Sequence, residues 1–290
     1  PPMAAWLTRW PESCSPVVIR TVRFAAPETV IWRRPASGRM AGYIWAPEIH
    51  HFDGKWHFYF AAGNGDDKFH IRTYVLEGRG DNPLTANWSL LGQFATPWDT
   101  FTLDSTIFEH KRVRYICWAQ REPGIETNSN LYLAPLKTAT TLAAAPARLT
   151  APTLDWEVQG FKVAEGPALL ARNGKLFLTY SASATDARYC MGMLTADADA
   201  DIMNPASWHK SPVPVFVTSE TNKVFGPGHN SFVVDEHGRD LLVYHGRDYR
   251  EIKGDGRVLG GPMQYLSKGM AEIGKPGLGK VLAVAFAILC

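Results

Sequence analysis

What most constrains the fold of this chain is a hairpin that recurs along it. WAPEIHHFDGKWHFYFAAG, residues 45–63, joins an alternating apolar run to a second, aromatic run through Asp53-Gly54. Period-two alternation around a short polar turn is the hairpin signature. The same layout returns in STIFEHKRVRYICWAQ from Ser105, PALLARNGKLFLTYSAS from Pro167 and NSFVVDEHGRDLLVYHGRD from Asn230. Further strands are expected at 69–77, 129–137 and 189–197, and two outer loops echo each other as DNPLTANW and MNPASW. Units of about sixty residues, each with three or four short strands, read as blades of a β-propeller. A sandwich is the competing all-β architecture, but it has no reason to repeat one hairpin four times. The expectation is a single propeller over residues 1–290.

Composition agrees with that class. Aromatics make up 12% of the chain, with 10 Trp, against 20% charged residues, a balance that suits strands and sugar-stacking surfaces. A formal charge of +2 over 290 residues gives no footprint for nucleic acid or an anionic membrane. Cys14, Cys117, Cys190 and Cys290 lack metal-ligand spacing and read as unpaired thiols. No apolar stretch reaches the length of a membrane span; the closing VLAVAFAILC is too short. PPMAAWLTRW lacks the layout of a signal peptide, and localisation stays open.

A polar residue marks the start of each hairpin: Glu48, Asp104, Glu165 and His229. In a propeller the first strand of each blade lines the central channel, so these four are expected to converge at its mouth. Two carboxylates over an aromatic-walled funnel can hydrolyse a glycosidic bond, one protonating the leaving oxygen while another activates water. Glu165, in VAEGPALL, has an apolar flank to desolvate it and is the better acid; Asp104, in TLDSTIF, is the second carboxylate. Either could instead cap a strand. His229 could hold a metal, bind sugar or sit in the core. Arg247, in YHGRDY, could offer a fork-shaped donor to sugar hydroxyls or form a surface ion pair.

Taken together, WAPEIHHFDGKWHFYFAAG, LDSTIF, WAQ, VAEGPA, TYSASATDARYCMGMLTA and GPGHNSFVV resemble glycoside hydrolase family 43, especially its bacterial exo-acting α-1,5-L-arabinofuranosidases. The likeness runs from about residue 27 to about 254, with 1–25 and 258–290 divergent. It implies a five-bladed propeller and an inverting mechanism on arabinan or arabino-oligosaccharides. By its motifs Glu165 is the general acid and Asp104 the residue that orients and tunes it. Trp45 and Arg247 then lie against the sugar, and His229 lies where a channel cation, often calcium, is held through water. No cofactor is required for the reaction. The same acids serve β-xylosidases, and a non-catalytic arabinan-binding propeller is a further alternative.

The resemblance also places a catalytic Asp in an Ala-Asp-Pro motif of the first blade. Residues 1–50 contain no Asp, and one period ahead of Glu48 falls before residue 1. That blade is therefore expected to be incomplete, as in a truncated or frame-shifted reading frame, and activity of the chain to suffer for lack of the base.

Overall fold

A computed structural model of the chain describes residues 17–19, 29–234, 238 and 240–247. The divergent ends expected at 1–25 and 258–290 lie outside the described residues, apart from residues 17–19. The regular elements among the described residues are strands and two short 3-10 helices. Among these residues no helix is long and apolar enough to cross a membrane.

The strands fall into five antiparallel sheets in chain order. The first pairs β1 (Val17–Ile19) with β2 (Thr29–Trp32). The second is the meander β3 (Gly42–Phe52), β4 (Lys55–Asn64), β5 (Asp67–Arg79) and β6 (Asn87–Gln93). In the third, β7 (Thr102–His110), β8 (Val113–Gln120) and β9 (Asn130–Thr138) are followed by β10 (Thr141–Leu142) and β11 (Ala147–Thr150), both paired to β9. The fourth holds β12 (Ala164–Arg172), β13 (Lys175–Ala182), β14 (Cys190–Asp197) and β15 (His209–Lys210); the fifth pairs β16 (Phe225–Val234) with β17 (Asp240–Arg247). All four hairpins expected from the sequence form, as β3–β4, β7–β8, β12–β13 and β16–β17.

Local chemistry explains the turns. Asp53-Gly54, Lys111-Arg112 and Asn173-Gly174 all have positive φ at both positions, from 49° to 73°, as the two-residue turn that matches strand twist requires. Asp-Gly and Asn-Gly adopt this readily, whereas Lys111-Arg112 does so without a glycine. The two echoing outer loops are also alike. The Asn82 and Asn204 side chains accept from the backbone N–H two residues on, and the Trp88 and Trp208 indoles donate to loop carbonyls.

Period-two alternation sorts side chains onto two faces of the second sheet. Phe58, Phe60 and Leu76 face one way, toward Ile31 and Trp32 of β2, whereas Tyr59 and Val75 meet Ile116, Trp118 and Tyr132 of the third sheet. A third cluster joins the second, third and fourth sheets through Ala61, Leu103, Leu133, Leu178 and Tyr180. Consecutive sheets thus bury their faces on one another, and their first strands approach: β3 against β7, β7 against β12, β12 against β16.

A feature invisible in the residue types repeats on these four first strands. Each carries a bulge at the same register: Trp45 and Glu48 face Ala61 and Tyr59, and Leu103 and Thr106 face Ala119 and Cys117. Glu165 and Ala168 likewise face Ser181 and Thr179, and Gly228 and Ser231 face His245 and Val243. The extra residue has positive φ in every case: Ala46 46°, Asp104 53°, Gly166 56° and His229 41°. Bulges re-aim side chains and are frequent beside active sites.

This corrects the expected equivalence of Glu48, Asp104, Glu165 and His229. Asp104 and His229 occupy the bulge itself. Glu165 stands one residue before its bulge, in register with Trp45, and Glu48 stands two residues after. The repeat is real, but its unit is the bulge and not the polar side chain.

Candidate active site

Three of the four bulges meet where β7, β12 and β16 approach, and two of them place polar side chains against the third. Asp104 on β7 is buried, and its Oδ2 accepts the Gly166 N–H at 2.9 Å and lies 3.6 Å from His229 Nδ1. A side chain at Gly166 would be strained and crowded here. Its φ is 56°, and a Cβ would come 3.1 Å from His229 Cγ and 3.2 Å from His229 Cα. At Ala46, Asp104 and His229 the same conformation costs on the order of 1–3 kcal/mol each. That strain is what points Asp104 and His229 at one another.

Beside them stands Glu165. It is half-buried, and its Oε1 accepts the Tyr189 hydroxyl at 2.7 Å. Burial and the nearby Asp104 charge push its pKa up to about 8, against the opposing pull of the Tyr189 hydrogen bond. Burial also raises Asp104, opposed by His229 and the Gly166 N–H and reinforced by the charge of Glu48. Glu165 is therefore protonated at neutral pH, a carboxylic acid with a proton to give. Glu48 itself pairs with His50 at 2.9 Å.

The remaining residues singled out in the sequence lie on β3 and β17. Trp45 on β3 occupies the register position of Glu165 on its own strand and meets Tyr43 edge-on with centroids 5.7 Å apart. Arg247 closes β17 and donates to the Thr185 carbonyl in the β13–β14 loop. That loop leads to Tyr189, whose ring lies flat on His245, centroids 5.4 Å apart and planes 3° from parallel.

The profile of Glycosyl hydrolases family 43 matches residues 24–266. The chain belongs to glycosyl hydrolases family 43. An extracellular exo-α-(1→5)-L-arabinofuranosidase of Streptomyces avermitilis is 54% identical to this family 43 chain over 231 residues, 79% of the chain and 48% of that protein. A namesake from Streptomyces chartreusis is 53% identical over the same share of the chain and 70% of its own length. The chain thus spans about half the length of the first of these relatives. The crystal structure of an α-L-arabinofuranosidase from Lactobacillus brevis superposes with a TM-score of 0.78 at 47% identity, covering 82% of this chain and 78% of that one. The all-β class expected from the repeats is thus shared with a solved relative.

Among the described residues no three His, Cys, Asp or Glu side chains come close enough to ligate one metal ion. The calcium expected near His229 is one held through water, which needs no such set, and no step below runs through a metal. Cys117 and Cys190 are buried free thiols, as expected.

Sequence reading gave Tyr189 no role, although it sits in the TYSASATDARYCMG block. The signal lies elsewhere in the chain. In FGPGHN the missing side chains of Gly226 and Gly228 make room for the loop and its ring, and a Cβ at Gly228 would stand 2.3 Å from Tyr189 Cε1.

Proposed function

We propose that this family 43 chain is the catalytic part of an α-L-arabinofuranosidase built on a five-bladed β-propeller. It would release L-arabinose from α-1,5-linked arabinan or arabino-oligosaccharides by single displacement with inversion. One observation supports the chemistry above others: Glu165 is held protonated beside a second enclosed carboxylate, Asp104, where the first strands converge. The named activity of the 53–54% identical relatives supports the sugar.

In this reading Glu165 gives its proton to the glycosidic oxygen as the bond from that oxygen to the anomeric carbon breaks. Asp104, without touching the leaving group, keeps the acid's pKa high by its charge and fixes the Gly166 backbone beside it. Trp45 and Arg247 contact the sugar, and His229 holds Asp104 in place. Water attacks the anomeric carbon from the opposite face and must lose a proton to a general base. Residues 1–50 hold no Asp, so we assign that role to no residue in this stretch.

The test is hydrolysis of nitrophenyl α-L-arabinofuranoside and nitrophenyl β-D-xyloside, each with and without azide, by the chain and its Glu165→Gln variant. Arabinoside turnover lost in the variant supports the reading. Azide dependence with a glycosyl azide product locates the deficit in the base. Preference for the xyloside makes the chain a β-xylosidase. Arabinan binding without turnover under any condition leaves only a binding propeller.

A further inference from the structure

The surroundings of Tyr189 are built to fix one atom, its hydroxyl. The ring is buried at 1% exposure and is clamped from several elements. On one side it stacks on His245 of β17. On the other it fills the space above Gly228 of β16, where a Cβ would come 2.3 Å from Cε1 and 2.5 Å from Cδ1. The loop beneath is locked as well: the Tyr189 N–H donates to the Asp186 carbonyl at 3.1 Å, and a Cβ at Gly226 would lie 2.2 Å from that same oxygen. Ser181 of β13 accepts the His229 N–H at 2.7 Å and is itself a hydrogen-bond partner of the phenol. So the bulge that carries His229 and the ring that touches Glu165 share one anchor.

His245 adds no competing charge. Burial, helped by the charges of His229 and Arg247, holds its pKa down to about 3, so the stacked ring is neutral. Burial and the Glu165 and Asp104 charges keep the phenol well above its ordinary range, so it remains a donor. A protonated carboxyl has one carbonyl oxygen and one hydroxyl oxygen. A fixed phenol O–H donates to the carbonyl one.

We propose that Tyr189 is a positioning residue for the general acid: its hydroxyl occupies Glu165 Oε1, so that the transferable proton resides on Oε2. The inference rests on the reading of Glu165 as that acid. No bond is made or broken by Tyr189. It selects the oxygen that delivers the proton and fixes the rotation of the carboxyl plane. Among the described residues, Asp104 from β7, Glu48 through its charge on Asp104, His229 from β16 and His245 and Arg247 at the end of β17 are the other titratable or charged groups acting on this centre.

The experiment compares wild type, Tyr189→Phe and Gly228→Ala, with folding checked by thermal melting. Tyr189→Phe keeps the ring and its stack and removes only the donor. Gly228→Ala keeps the hydroxyl and displaces the ring. Both variants are expected to lose about tenfold to a hundredfold in kcat with little change in KM, the scale of a misplaced catalytic group. The loss should be larger for an alkyl arabinofuranoside, which needs protonation, than for a dinitrophenyl one, which needs little. A hydrogen bond to the ionised carboxylate favours ionisation, so in Tyr189→Phe the basic limb of the kcat/KM profile moves to higher pH. A kcat loss equal for both leaving groups with an unmoved limb overturns the proposal and leaves Tyr189 a packing residue. If wild type shows no turnover with or without azide, the functional reading fails separately. Carbon-13 NMR titration of Glu165 then decides the inference: a higher midpoint in Tyr189→Phe supports it, and an unchanged midpoint overturns it.

Discussion

Two enclosed glutamates, eight positions apart in sequence, show how the partners of a carboxylate decide its use. Glu157, in the 3-10 turn Asp155–Glu157, is fully buried. Its oxygens accept the Thr153 and Leu154 N–H groups at 2.7 and 2.8 Å, the Tyr180 hydroxyl at 2.6 Å, and Lys210 Nζ at 2.9 and 3.0 Å. Glu165 is less enclosed, yet it accepts a hydrogen bond from Tyr189 and faces another carboxylate instead of an ammonium. Burial alone does not make a carboxyl reactive. Glu157 is satisfied on every side and ties the loop ahead of β12 to β13 and β15. Glu165 is left short of donors beside like charge, and so holds a proton at neutral pH.

The largest effect should separate the two by activity. Glu165→Gln removes the transferable proton at constant shape, and turnover of the arabinoside should fall about a hundred- to ten-thousand-fold while the melting curve keeps its shape. Next comes Glu157→Ala, which strands Lys210 and two N–H groups. Breaking a buried pair from one side costs about 3–5 kcal/mol, read in urea unfolding. An equal stability loss in Glu165→Gln would erase the distinction.

A subtler pair sharpens it. Tyr180→Phe removes one of several donors to Glu157 and should cost about 1–3 kcal/mol with no movement of the pH profile. Tyr189→Phe should do the reverse. The smallest effect concerns pH and has a definite sign. The Glu165 pKa is raised in the folded chain, so the folded state binds the proton more tightly and stability falls as pH rises from about 4.5 to about 8. Glu165→Gln cannot lose that proton. Its melting temperature should match wild type at acid pH and exceed it above pH ~8.

The sequence made the hairpins legible because side-chain alternation and polar turns are written locally. Asp53-Gly54 and Asn173-Gly174 announce their turns, and even Lys111-Arg112 is bracketed by alternating runs. The bulges were not legible. Their positions hold Ala46, Asp104, Gly166 and His229, four residue types with nothing in common but a backbone angle. Polar type therefore suggested Glu48 and Glu165 as equivalents of Asp104, and register shows otherwise. Glu157 and Tyr189 escaped for a related reason. Each is defined by partners on distant strands, Lys210 for one and Gly228 with His245 for the other. Family resemblance pointed to Asp104 and Glu165, but the burial and hydrogen bonds that set their chemistry are tertiary.

The chemistry proposed for this site requires Glu165 to be a neutral acid at working pH. The most direct measurement is the titration of its side-chain carboxyl by carbon-13 NMR, assigned by difference with Glu165→Gln. A midpoint near pH 8 is expected. A midpoint in the ordinary carboxylate range, near about 4.3, would contradict it.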